Sequence, residues 1–187
     1  FFVQDQQIWH QLLFIFAGLT KVSGGIVATA HYETSRILSY HIISQLGNII
    51  MGLGIFTPLA LAGAIFFIMH NMIAKTNTFL ISGVINKIKG TYYLKDIGGL
   101  FKQSPFLAVL FIIPAFALAG FPPLSGFFAK FILIKAGYEA GDYLITTVAL
   151  LTGMLTIYSM VKIWNEAFLK KQPEQENVTI NLKKPSL

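Results

Sequence analysis

Between Arg36 and Lys75 the chain has no aspartate, glutamate, lysine or arginine, and none between Lys102 and Lys130. A soluble domain needs polar surface at short intervals, whereas about 20 apolar residues in helical form cross roughly 30 Å of hydrocarbon. Uncharged runs of this length therefore admit few folds besides membrane-spanning helices. The composition agrees: 55% of residues are hydrophobic and 12% charged, with a mean hydropathy of +0.65, against about 25% charged in ordinary soluble domains.

Five apolar segments satisfy the length requirement, at about 11–30, 37–56, 58–85, 105–137 and 143–168. They read as one transmembrane unit over 1–170, followed by a polar cytoplasmic tail or linker over 171–187. The expected class is an all-α membrane protein of about five spans. The links after the first and third segments, and the tail, hold Arg36, Lys87, Lys89, Lys95, Lys102, Lys170, Lys171, Lys183 and Lys184, while the other side has only Asp5, Glu139 and Asp142. The positive-inside rule then puts the start of the first span outside and the C-terminus in the cytoplasm. The chain starts Phe1-Phe2 without a basic leader, and reads as a segment of something longer.

The fourth segment is too long for one straight crossing, since a continuous helix of that length would measure about 50 Å. Pro122 and Pro123 lack the N–H that a helix interior needs, and Gly120 beside them tolerates unusual dihedrals, so the helix should break there. Backbone freed inside a bilayer must be satisfied by protein or water, so the break should face the bundle interior or a wet cavity.

The spans contain Lys21, Lys75, Lys130, Lys135 and Lys162, with Glu166 the one acidic residue, near the last cytoplasmic end. Lys162 and Glu166, at i and i+4, read as a helix-end pair, and Lys135 as an interfacial anchor that reaches water. Lys130 lies deeper and beside the break, where an ionisable group implies a polar cavity and a function. Lys75 shares a face with Asn71, Thr78 and Ser82, flanked by His70 and Asn77, and His41 shares one with Ser44, Gln45 and Asn48. These stripes suit a proton relay, and they also suit plain interhelical hydrogen bonding. Lys21 is mid-span with no role readable from this chain.

Lysines held in hydrocarbon without carboxylate partners can exchange protons. His41, then Lys75 and His70, then Lys130 would form a line of titratable sites across the membrane, with water and small polar side chains between them. Other chemistries are poorly supported. The chain has no cysteine, no phosphate-binding loop and no run suited to nucleic acid, and its scattered His10, His31, His41 and His70 lack ligand spacing, so neither metal nor cofactor is expected. Ser125 is expected to cap the second half-helix.

The strings SRILSYHIISQLG, FTPLALAGAIFFIMHNMIAKTNTFLISG, GTYYLKDIGGL and LAGFPPLSGFFAKFILIKAG resemble the antiporter-like proteins shared by Mrp-type Na+/H+ antiporters, their D subunits above all, and the membrane arm of NADH-quinone oxidoreductase. The resemblance covers about 14–168. It implies a protein of about fourteen helices built from two inverted five-helix units, of which this chain is similar to the second. The family's lysine in the second half of its broken helix falls on Lys130, and its mid-membrane histidine on His70. The glutamate and lysine pair of the first unit has no counterpart here, and Asn48 stands where similar sequences often have an aromatic residue. The implied role is a proton-conducting subunit of a cation/proton antiporter in the cell membrane, not an enzyme, working with other membrane subunits and carrying protons and Na+. Two alternatives stay open: a proton-pumping subunit of NADH-quinone oxidoreductase, part of a translocase, or a scaffold subunit that conducts nothing.

Overall fold

A computed structural model describes residues 6–171; the tail expected over 171–187 lies, from residue 172 on, outside the described residues. The chain is helical throughout this range: α1 (Gln6–Ala30), α2 (Thr34–Ile55), α3 (Pro58–Lys89), the short α4 (Leu100–Gln103), α5 (Pro105–Ala119), α6 (Ser125–Glu139) and α7 (Tyr143–Trp164), which runs into a π-helical turn, Asn165–Leu169. The ladder outside these helices is limited, among the described residues, to an isolated bridge between Glu33 and Tyr93.

Local chemistry explains where the helices start and stop. Pro58 and Pro105 each occupy the first helical position, where a missing N–H costs nothing. Thr57 caps α3 by accepting from the Ala60 N–H at 3.2 Å. At the far end of α3, Gly90 takes φ +74° and donates to the Asn86 carbonyl at 2.7 Å, a left-handed stop that needs no Cβ.

Helices 8–30, 58–89 and 143–169 are by themselves long and apolar enough to cross a membrane. The second expected span corresponds to α2, whose 22 residues carry the polar stripe. The fourth is two helices in series: α5 and α6 have 15 residues each, about 22 Å apiece, and only together do they cover the bilayer.

The crossings alternate in direction. One end of the bundle gathers the α1–α2 link, the segment after α3 and the end of α7: the Thr34 N–H donates to the Tyr92 carbonyl at 3.0 Å, Leu94 to Tyr32 at 2.8 Å and Gly99 to Lys170 at 2.6 Å. This is the lysine-rich end. At the opposite end His10 of α1 meets Asp142, just before α7, at 3.4 Å.

Apolar packing follows the same division. Towards the lysine-rich end a cluster around Phe111, Leu94, Ile97 and Phe168 fills the space between α3, α5 and α7, with Trp164 stacked on Phe168 at a 4.9 Å centroid distance. Along the middle of the α1–α2 seam, glycines let backbones approach: a Cβ on Gly24 would lie 2.6 Å from the Ser44 nitrogen, and one on Gly47 2.7 Å from the Ala17 carbonyl. Small residues at the contact are how helices associate where lipid is as apolar as the side chains. The outward faces remain apolar, as with Ile65, Met69, Met72 and Ile73 on α3.

A candidate proton path at a broken helix

The chain leaves helical geometry after Ala119 and re-enters it at Ser125. Gly120 sits at φ +87°, ψ +40° as the left-handed residue that ends α5, and Pro122 and Pro123 occupy the gap. Ending a helix here leaves its last carbonyls without intrahelical donors. Lys130, about one and a half turns into α6, supplies them: its Nζ donates to the Leu118 carbonyl at 2.8 Å and to Ala119 at 2.9 Å. Side chains on a helix lean towards its N-terminus, so the ammonium returns to the break instead of pointing to the near bundle end.

The second half-helix is held from α3. His70 Nδ1 and the Ser125 hydroxyl share a hydrogen bond of 2.9 Å, and the first residues of α6 lie so close to α5 that a Cβ on Gly126 would overlap the Ala117 carbonyl oxygen. The cap expected at Ser125 is not formed by that residue. Leu124 occupies the cap position instead, without a side-chain bond, and the Ser125 hydroxyl is committed to His70.

The stripe on α2 turns inward as its spacing requires. His41, Ser44 and Gln45 are buried, and Asn48, half-buried, donates from Nδ2 to Gln45 Oε1 at 2.9 Å. On α3 the buried members are His70, Lys75, Thr78 and Ser82. Asn77, expected beside that stripe, is exposed, because it stands on the far side of the helix from Lys75 and Thr78.

Both ring nitrogens of His41 and Nζ of Lys75 are buried with no hydrogen-bonding partner. Orphaned polar groups of this kind are costly in an apolar interior. The two lie within electrostatic reach of each other, and both feel Lys130.

Two openings lie beside Lys130 and Lys75. A cavity of about 370 Å³ among α2, α6 and α7 is lined by Ser44, Gln45, Asn48, Lys130, Thr152 and Thr156. A groove of about 670 Å³ between α2 and α3 is lined by Gln45, Asn71 and Lys75 among apolar residues. Gln45 belongs to both, so one amide stands between the surroundings of Lys75 and those of Lys130.

Every aspartate and glutamate among the described residues is at least partly exposed. The buried charge-bearing groups are Lys21, Lys75, His41 and His70, all basic, with the half-buried Lys130 beside them. Lys21 is 0% exposed, its Nζ against the Met51 sulfur at 3.3 Å; periodicity could not single it out, because no polar stripe accompanies it on α1. Nor do three His, Asp or Glu side chains converge anywhere in the described residues in a way that could hold a metal.

The remaining lysines separate from this group. The spacing pairs Lys162 with Glu166, but in the structure its Nζ crosses to the end of α1, donating to the Thr29 carbonyl at 3.0 Å and His31 at 2.8 Å, over the Tyr32 ring at 3.6 Å. Glu166 pairs with Lys170 at 3.1 Å instead. Lys135 and Glu139 are exposed and 3.7 Å apart, on the outer part of α6.

Comparison with known proteins adds an independent line. The family described as "NADH:quinone oxidoreductase/Mrp antiporter, TM" matches residues 1–156. The chain is 50% identical over 175 residues to the D subunit of the Na(+)/H(+) antiporter of Alkalihalophilus pseudofirmus, covering 94% of this chain and 36% of that protein. Its fold is similar to a chain in the Mrp complex from Dietzia sp. DQ12-45-1b, with a TM-score of 0.85 at 35% identity over 90% of this chain and 32% of that one. A chain of respiratory complex I from Thermus thermophilus with bound NADH gives a TM-score of 0.82 at 26% identity, over 92% of this chain and 36% of the other. The chain thus spans about a third of the length of the relatives it matches.

Proposed function

The chain belongs to the NADH:quinone oxidoreductase/Mrp antiporter membrane family, and from that premise we propose that it is the proton-conducting section of an Mrp-type Na+/H+ antiporter subunit. His41 is the entry group from the lysine-rich, cytoplasmic end, Lys75 and His70 the relay, and Lys130 the proton site beyond the break. The other membrane subunits of the same antiporter complex are its partners, in the cell membrane.

One observation carries this reading. His70 and Lys130 meet at the helix break, and Lys75 and His41 lie within electrostatic reach of Lys130 with no buried carboxylate among the described residues. Lys130 lines a largely apolar cavity of about 370 Å³ that also exposes Ser44, Gln45, Asn48, Thr152 and Thr156. A single buried water needs about 30 Å³ of liquid volume, so the cavity has room for a short chain of them between Lys130, Asn48 and the Thr152 and Thr156 hydroxyls. An intramembrane lysine is costly enough that its retention without an acidic partner favours a transport role over anchoring.

The test uses the full-length protein in its assembled complex. Everted vesicles carrying Lys130→Ala should lose the sodium-induced collapse of a pH gradient, followed with a ΔpH-sensitive dye, while the complex still co-purifies with its partners. Undiminished transport in the assembled variant would sink the proposal.

A second reading, the scaffold, draws on the two carbonyls that already occupy the Lys130 ammonium: in that case the lysine only closes a helix end, and the same variant should transport normally. Likeness to a chain of respiratory complex I supports a third, in which quinone reduction elsewhere drives the same path. Proton movement that follows NADH oxidation and ignores sodium would decide for it.

A further inference from the structure

Lys21 has no place in the path described above, yet its surroundings are built for it. Gly47 of α2 opens the slot: a Cβ there would overlap Lys21 Cγ. Ser44, a turn away on the same helix, donates to the Lys21 carbonyl at 3.0 Å while also lining the Lys130 cavity. The stem leans towards the start of α1, and Nζ ends against Met51 Sδ at 3.3 Å. A thioether is a weak acceptor, so the amine is nearly unpaired.

A lysine used only as filler would be replaced at no loss by an apolar residue, because burying an ammonium without a carboxylate is expensive. The neighbours offer none: α2 presents Ser44 and Met51, and no aspartate or glutamate among the described residues is buried. Lys21 and Lys130 lie within electrostatic reach of each other. Beyond Met51, towards the lysine-poor end, stands the His10–Asp142 pair at 3.4 Å, partly exposed.

We infer that Lys21 is a further proton-exchanging residue, taking the proton from Lys130 and releasing it towards the His10–Asp142 end of the bundle. An N–H bond of the Lys130 ammonium breaks and one forms on the Lys21 amine, beside Met51. Lys130 is left neutral, its lone pair open to the next proton from the Lys75 side. Two like charges within electrostatic reach in a medium of low dielectric repel, so the pair favours one proton at a time and the arrival of a second expels the first. The inference rests on the proton-conducting reading above.

The experiment compares Lys21→Met, Lys21→Arg and Lys130→Ala in the full-length protein within its assembled complex, with sodium-driven proton movement in everted vesicles and co-purification of the partner subunits as readouts. Methionine matches the stem without the amine, and arginine keeps the charge but cannot release a proton. Both Lys21 variants should assemble and lose transport, on the order of 10²-fold for a missing proton-transfer group. Normal transport in Lys21→Met overturns the inference, and so does normal transport in Lys21→Arg, which would make the charge alone sufficient. Failure of Lys21→Met to assemble overturns it as well, since the ammonium would then be structural; if only Lys21→Arg fails to assemble, Lys21→Met decides. Loss in Lys130→Ala with retention in Lys21→Met rejects Lys21 alone, whereas retention in both rejects the proton-conducting reading too.

Discussion

Replacing Gly126 by alanine adds one methyl group at the tightest point of the helix break. The new Cβ would overlap the Ala117 carbonyl oxygen and stand 2.8 Å from His70 Nε2. The first obstacle is backbone, so no rotamer change relieves it, and α6 must move away from the end of α5. Overpacking of this kind costs about 1–3 kcal/mol. The movement also strains the His70–Ser125 bond of 2.9 Å, a further contribution of about 1 kcal/mol. Together that is about 2–4 kcal/mol, and at roughly 2–4 °C per kcal/mol for a unit of this size the melting temperature should fall on the order of 5–15 °C. The natural control is Gly153→Ala on α7, where a Cβ meets nothing within 4 Å and the change should be neutral or stabilising by up to about 1 kcal/mol. Melting is followed by detergent-solubilised size-exclusion profiles after stepwise heating. Equal melting of the two variants would refute the claim that the halves of the broken helix are held in contact at Gly126.

Three other substitutions probe separate parts of the bundle. Ser125→Ala removes the His70 partner and should cost about 1 kcal/mol with transport reduced, while Ser125→Thr, which keeps the hydroxyl, should restore both; equal behaviour of the two would reject a role for that bond. Lys162→Met uncaps the end of α1 by deleting two charge-assisted bonds and the contact with Tyr32, so the melting temperature should drop by several degrees, at roughly 1.5–3 kcal/mol per bond to a charged group, with transport per assembled complex unchanged. Lys135→Gln breaks an exposed pair and should alter stability by less than about 0.5 kcal/mol in thermal unfolding.

The spans and the break are readable because their signals are local. Charge-free length marks the helices, and adjacent prolines without N–H groups interrupt a ladder in any surroundings. The inward stripes on α2 and α3 follow from helical spacing, and Asn77 departs from the second because it lies off the Lys75–Thr78 face. What cannot be read depends on partners distant in sequence. Lys162 has Glu166 four residues away, but the open carbonyls of Thr29 and His31 across the bundle compete better for the ammonium. Ser125 suits a cap, yet the buried His70 ring claims its hydroxyl. Lys21 has no stripe to announce it, and its slot is made by Gly47 on the next helix.

The end of α5 has one more consequence. The peptide units of a helix align so that its C-terminus carries the equivalent of about half a negative charge, and Ala119 puts that pole at the break, where the Lys130 ammonium rests on it. The backbone thus serves as counterion. A carboxylate in that place could take the travelling proton and lose its charge, whereas aligned carbonyls keep theirs at any physiological pH. The attraction that holds the Lys130 side chain at the break when it is protonated is therefore built into the main chain, and side-chain substitution cannot remove it unless the helix is made continuous.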